Sequence, residues 1–184
     1  MFSFPIEEGI ELRIIEERYA HALFALTDAN RQMLRQWLPW VDQTHSVSDI
    51  VKFIRTSLNQ YANNDGFQCG VWFRGELAGA VGYHLFDWKN RRTSIGYWLG
   101  ERFQGAGLMT KAVRILTDYA LIELKLNRVE IRCADGNDRS RAIPERLGFV
   151  HEGMIRETEW LNGRFLDHHV YGMLREEWET CRNG

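Results

Sequence analysis

Cysteine is scarce in this chain of 184 residues, and the three present, Cys69, Cys133 and Cys181, are odd in number and widely spaced. That argues against both a disulfide framework and a zinc site, and leaves reduced cytosolic thiols as the plain reading. A basic excess is missing too. The 23 Lys and Arg against 25 Asp and Glu give a formal net charge of −2, where a general nucleic-acid binder carries a clear positive surplus. No apolar run approaches membrane-spanning length, and the stretch MFSFPIEEG has no basic patch followed by an apolar core. A cytoplasmic protein with no direct nucleic-acid or membrane partner is expected. Internal repeats, low-complexity tracts and linkers are absent as well, so residues 1–184 read as a single domain.

Aromatic residues, by contrast, are plentiful. Seven Trp and ten Phe suit a large core or a lined cleft. The informative stretch is Thr93 to Leu124. Ser94 to Leu99 is short, apolar and aromatic, and reads as a buried strand ending at Gly100. Leu108, Ala112, Ile115, Leu116, Tyr119 and Leu124 then recur at helical spacing. Between them lies Arg102-Phe103-Gln104-Gly105-Ala106-Gly107. Two glycines allow a sharp turn and close approach of a ligand, and the helix start offers unpaired N–H groups at its positive end. Strand, glycine turn and helix start together make a phosphate or pyrophosphate site. Thr110 stands where the dinucleotide fingerprint needs a small residue, and no Lys-Ser/Thr pair follows a glycine, so neither familiar nucleotide loop is present.

Other elements follow from periodicity and punctuation. Residues 1–9 read as a loose lead-in and Glu11 to Glu16 as a first edge strand. Tyr19 to Leu38 reads as two short helices ended by Pro39. Ser46, with Asp49 three residues on, caps a further helix that Asn63-Asn64-Asp65-Gly66 stops. Phe67 to Phe73 and Leu77 to Phe86 form a hairpin, and Asn127 to Cys133 is a strand. A helix over 138–147 follows; Pro144 inside it predicts a late start or a distortion. Phe149 to Trp160 and Phe165 to Leu174 are strands joined at Leu161-Asn162-Gly163-Arg164.

The spacing Arg102-x-x-Gly105-x-Gly107 resembles the acyl-CoA loop of the GCN5-related N-acetyltransferase (GNAT) superfamily. Asn137-Asp138-Arg139-Ser140 and Glu145-Arg146-Leu147-Gly148-Phe149 resemble its second cofactor segment. Trp160-Leu161-Asn162-Gly163 and Asp167 are similar to one branch, the bacterial ribosomal-protein N-terminal Ser/Ala acetyltransferases. The resemblance implies an α/β fold of the α+β type, the GNAT fold. Its mixed, mostly antiparallel sheet has about six to seven strands flanked by helices and splayed at the acyl-CoA site. Acetyl-CoA is the implied co-substrate, and superfamily members often pair, so a homo-oligomer is compatible with it.

The same resemblance implies site residues. The backbone of Gln104, Gly105, Ala106, Gly107, Leu108, Met109 and Thr110, with Arg102, would hold the pyrophosphate. A main-chain N–H of Tyr97, Trp98 or Leu99, beside a bulge, would bind the thioester oxygen. Asn137 and Ser140 would meet the pantetheine arm. Helix 138–147 lacks the tyrosine many relatives use, so Ser140 is the candidate acid for the thiolate, with helix capping as the alternative. Glu159 is the candidate base and Glu157 the reserve on the same face by alternation; an exposed strand carboxylate is the plain alternative. Trp37, Trp40 and Tyr61 are candidates for an acceptor pocket. Cys133 reads as strand packing rather than a nucleophile, and His168 and His169, facing opposite ways, cannot grip one metal. An α-amino group near pKa 7.7–8.0 needs less help to deprotonate than a lysine near 10.4. The expected reaction is transfer from acetyl-CoA to a protein N-terminus, plausibly ribosomal, in a ternary complex. A small-amine acetyltransferase (polyamine, aminoglycoside or amino-acid derivative) and a non-catalytic acyl-CoA sensor are the alternatives.

Overall fold

A computed structural model describes residues 3–183 of the protein. Its strands form one sheet in the order β1-β2-β3-β4-β5-β6-β8-β7. The ranges are Ser3–Glu7 for β1, Ile10–Ile14 for β2, Gln68–Phe73 for β3, Glu76–Tyr83 for β4, Arg92–Leu99 for β5, Arg128–Ala134 for β6, Val150–Leu161 for β7 and Arg164–Leu174 for β8. Every neighbouring pair is antiparallel except β5 and β6, which run parallel. The sheet is mixed and mostly antiparallel, as the resemblance implies, with eight strands among the described residues where six to seven were expected.

The extra strand is β1, in a segment the sequence reading left as a loose lead-in. It pairs with β2 from Ser3↔Arg13 to Glu7↔Ile10, turning through Gly9 at φ +78°. Ile6 packs against the core from this strand, burial that a short polar-flanked segment does not advertise. The sheet edge is therefore β1 rather than β2.

Helices cover both faces. Helix α1 (Ala20–Ala29), the single turn α2 (Arg31–Leu34) and α3 (Val47–Ala62) belong to one side. There Leu23, Ile50 and Ile54 pack on Trp72, Leu77 and Ala80. Helices α4 (Leu108–Asp118), α5 (Asp138–Arg146) and α6 (Arg175–Asn183) cover the other. On that side Val113, Leu116, Ile143 and Trp178 meet Tyr83, Ile131, Cys133 and Met173 in the larger core. Helix α4 continues beyond Asp118 as a wider π turn, with Leu124 N–H on Tyr119 O.

The Ser46 cap forms as its spacing requires: Asp49 Oδ2 accepts from Ser46 N–H at 3.1 Å and from His45 N–H at 3.2 Å. These bonds, led by the Ser46 hydroxyl, lower the Asp49 carboxyl to about 2. Helix α5 corrects the expectation of a late start. It begins at Asp138 and carries Pro144 within it.

Two stability outcomes follow. Asp49→Asn should reduce the melting temperature at neutral pH, and the gap from the native protein should vanish as pH falls from about 4 toward 2. That is the sign for a carboxylate whose folded-state pKa lies below its unfolded one. Gly79→Ala would set a Cβ 2.2 Å from Trp98 O and 2.9 Å from Leu99 Cα. Denaturant titration should show a loss of about 1–3 kcal/mol, because backbone rather than a flexible side chain must move.

Candidate active site

Strands β5 and β6 pair only over Arg92↔Arg128, Thr93↔Val129 and Ser94↔Glu130, although they run on to Leu99 and Ala134. Beyond Ser94 each is held by its outer neighbour: Leu99 stays opposite Gly79, and Ala134 opposite His168. The strands part there without the expected bulge, since the β4–β5 register is unbroken from Tyr83↔Ile95 to Gly79↔Leu99. Backbone direction alternates along a strand. Ser94 O accepts from His84 N–H and Gly100 N–H donates to Ala78 O, both toward β4. Tyr97 and Leu99 therefore aim their main-chain groups at the opening, and Trp98 aims its own at β4. Of the three residues expected to supply the N–H, Trp98 is the one the geometry removes.

The glycine turn lies at the end of this opening. Gly105 and Gly107 have φ of +82° and +73°, and a Cβ on either would meet nothing within 4 Å. Backbone conformation rather than crowding selects glycine here. The first helical bond of α4 is Lys111 N–H to Gly107 O, so the amides of Leu108, Met109 and Thr110 precede it at the positive end. Leu108 and Met109 bury their side chains in the core and have only backbone to offer. This donor set suits a diphosphate. Arg102 is engaged elsewhere: its guanidinium pairs with Glu76 Oε2 at 2.9 Å and lies over the Phe103 ring. Gln104 spans the mouth, its amide donating to Leu99 O at 3.2 Å and its carbonyl accepting from Arg139 Nη1 at 2.6 Å.

On the α5 side, Tyr97, Cys133 and Ser140 form a cluster. Tyr97 Oη donates to Ser140 O at 2.9 Å, and Cys133 Sγ is 3.3 Å from Ser140 Oγ. Pro144 explains why that carbonyl is available. A helical residue four positions after Ser140 would normally donate to it, and proline has no N–H. Burial raises both the Tyr97 hydroxyl and the Cys133 thiol, so each stays protonated at neutral pH. Asn137 Oδ1 accepts from Ser140 N–H at 3.3 Å and caps α5.

The opposite face carries a carboxylate. Glu159 Oε2 is 3.1 Å from His168 Nε2, and the two side chains are 26% and 17% exposed. Their meeting depends on a bulge in β7, where four steps from Ile155 to Glu159 face two from His168 to Leu166. Glu157 sits in that bulge at φ +50°, with its N–H on Asp167 Oδ1 at 2.8 Å. The alternation expected to align Glu157 with Glu159 is broken there. Trp40 packs 5.9 Å from Trp98 on this side, and Trp37 packs on Ala134, Leu161 and Leu166.

A family model described as an acetyltransferase (GNAT) domain matches residues 10–150. The chain belongs to the GNAT acetyltransferase family. It is 39% identical over 180 residues to YdaF of Bacillus subtilis (strain 168), spanning 97% of this chain and 98% of that one. It is 27% identical over 172 residues to the ribosomal-protein-serine acetyltransferase of Escherichia coli (strain K12), spanning 94% and 96%. Among solved structures, RimL, a ribosomal L7/L12 α-N-protein acetyltransferase in complex with coenzyme A, superposes with a TM-score of 0.92 at 27% identity over 96% of this chain and 99% of that one. The microcin C7 self-immunity acetyltransferase MccE, with acetyl-CoA and AMP, gives 0.86 at 29% over 92% and 94%.

This acetyltransferase uses acetyl-CoA as co-substrate, and its own geometry sorts the remaining sequence expectations. Tyr61 is exposed and lies edge-on to Phe67 at 5.9 Å. His169 turns from His168, bonding Asp135 Oδ1 at 3.1 Å and His151 at 2.9 Å. That bond to His169 lowers the Asp135 carboxyl. Arg139 and the Tyr97 hydroxyl were missed as site groups. Both reach the opening from elements distant in sequence, and no local spacing signals that. The thiols allow a direct check. Burial raises Cys133 and drives Cys69 to about 12, while Cys181 is exposed. Iodoacetamide at about pH 8 should label Cys181 alone in the native acetyltransferase, because the thiolate is the nucleophile; peptide mapping reads the outcome. Cys133→Ala should keep kcat within about threefold, whereas a nucleophile's loss costs about a thousandfold.

Proposed function

We propose that the enzyme acetylates the α-amino group of a protein N-terminus, plausibly ribosomal, by direct transfer in a ternary complex. The chain acts as one cytoplasmic acetyltransferase domain. One observation carries the reading: β5 and β6 part beyond Ser94, with Ser140 beside Tyr97 and Cys133 on one face of the sheet and Glu159 paired with His168 on the other. In this reading the two groups act from opposite faces on a carbonyl met by the backbone of Tyr97 or Leu99. Support for the acceptor comes from relatives named for ribosomal-protein acetylation.

The amides of Gly105 to Thr110 hold the diphosphate, and Asn137 and Ser140 border the pantetheine arm. An N–H of Tyr97 or Leu99 donates to the thioester oxygen as it gains charge, which is where a prepositioned donor contributes most. Glu159, directly or through a water, takes the proton that the ammonium must lose before attack. The free amine forms the C–N bond, the C–S bond breaks, and the proton that the new amide nitrogen sheds passes to the departing thiolate through the Ser140 hydroxyl or a water it holds, so that Ser140 ends neutral. A thiol near 8.5 needs little acid help, and an α-amine near 7.7–8.0 needs only a modest base.

Thiol-release kinetics test this reading. Peptides starting with Ser or Ala should turn over, while peptides blocked at the N-terminus but carrying lysine, and polyamines, should not. Glu159→Gln should lower kcat by about a hundredfold or more, most severely at low pH where amine deprotonation limits. Turnover confined to lysine or polyamine would overturn the acceptor assignment, and an unchanged pH profile would remove Glu159 as base. Ser140→Ala should cost about tenfold, with the KM for acetyl-CoA little changed if its role is protonation alone.

A further inference from the structure

The carboxylate assigned to the amine does not itself border the opening. The strand that does is β6, followed outward by β8 and only then by β7. Neighbouring strands lie about 5 Å apart, so the backbone of Glu159 on β7 stands about 10 Å from β6, and that of His168 on β8 about half as far. His168 is directly opposite Ala134 in the β6–β8 register, and residues so paired share a face. A single methyl group is all that Ala134 sets between the imidazole and the opening. Across the opening, Trp98 carries Trp40 packed on it at 5.9 Å.

The pairing with Glu159 also fixes the ring. A carboxylate only accepts, so the nitrogen 3.1 Å from Glu159 Oε2, His168 Nε2, is the one that bears the hydrogen. In a neutral imidazole that leaves the lone pair on Nδ1, which has no partner among the described residues. Glu159 is the one charged side chain that His168 meets among them. Asp135, next after Ala134, turns to His169 on the other face, and Glu157 sits in the bulge with its N–H on Asp167. The His168 side chain is 17% exposed, open enough to exchange a proton with water. Histidine is the side chain that ordinarily titrates nearest neutral pH, where a general base works best.

We propose that His168 Nδ1 receives the proton of the acceptor ammonium, and that Glu159 acts through this ring, holding its tautomer and balancing the imidazolium charge. The inference rests on the acetyl-transfer reading above and refines the one step assigned there to Glu159. The ammonium N–H bond breaks, its electron pair stays on nitrogen for attack on the carbonyl, and the proton bonds to Nδ1. Once the acetylated product leaves, the imidazolium returns that proton to water. The second proton, shed by the new amide nitrogen, goes to the thiolate on the Ser140 side, so the ring handles one proton per turnover.

Two substitutions separate a base from a mere support for the carboxylate. His168→Gln keeps an N–H that can donate to Glu159 but has no basic nitrogen, and His168→Ala leaves room for added imidazole. Thiol release with Ser- and Ala-starting peptides should show each variant about a hundredfold slower in kcat, with an unchanged KM for acetyl-CoA as the check on folding. Added imidazole should restore His168→Ala in step with its unprotonated fraction as pH rises, and leave the native enzyme unaffected. Glu159→Gln combined with His168→Gln should be no slower than the slower single variant, because the two groups act as a unit. If His168→Gln stays within about threefold of native while Glu159→Gln is slow, or if imidazole fails to restore His168→Ala, the inference is overturned and Glu159 stands as the base. If Glu159→Gln is itself as fast as native, that reading falls and the inference falls with it.

Discussion

Two parallel strands that stop pairing after three residues are the constraint on which this enzyme's chemistry depends. Up to Ser94 and Glu130 the pair β5–β6 is ordinary sheet; beyond it the main-chain groups of Tyr97 and Leu99 face an opening. Unpaired strand backbone is costly to bury and readily takes up an extended partner. An amide-bearing arm threaded between the strands meets that need, and a thioester carbonyl beyond it meets N–H donors that cost nothing to orient. The glycine turn before α4 follows directly, so the groups proposed to hold the diphosphate and those proposed to polarise the carbonyl belong to one piece of backbone running from Tyr97 to Thr110.

Pro144 contributes to this arrangement in a way its composition class conceals. Proline inside a helix removes one hydrogen bond, and the orphaned carbonyl is that of Ser140. Tyr97 satisfies it from across the opening, at 2.9 Å, which fixes the tyrosine ring and sets Ser140 beside Cys133. A defect in α5 thereby couples that helix to the strand carrying the donor amides. On the other face a bulge does comparable work: the two extra residues in β7 bring Glu159 to His168 rather than to a residue nearer the turn. In the proposed reaction the thiol side and the amine side are each shaped by a local irregularity.

This division also explains why family membership leaves the acceptor open. The cofactor side is built from backbone and core packing, which tolerate wide sequence change. The proposed acceptor side is instead built from particular side chains, Trp37, Trp40, Trp98, Glu159 and His168.

Much of the scaffold was legible in the sequence because it rests on short-range physics. Period-two and period-3.6 patterns locate strands and helices, Ser46 and Asp49 announce a cap, and Gly105 with Gly107 announces a turn that only a left-handed backbone makes. Strand β1 escaped because its burial comes from a partner strand and a distant core, not from its own pattern. The pairing of Arg102 with Glu76, a neighbour only through the fold, was likewise out of sight. By itself the sequence determined most of the strands and helices, the glycine turn and which side chains were candidates for the chemistry. Only tertiary structure decided which of them meet: which amides face the opening, that Tyr97 reaches Ser140, and that Glu159 pairs with His168. Those contacts depend on register, bulges and twist summed over many residues, and no local spacing encodes that sum.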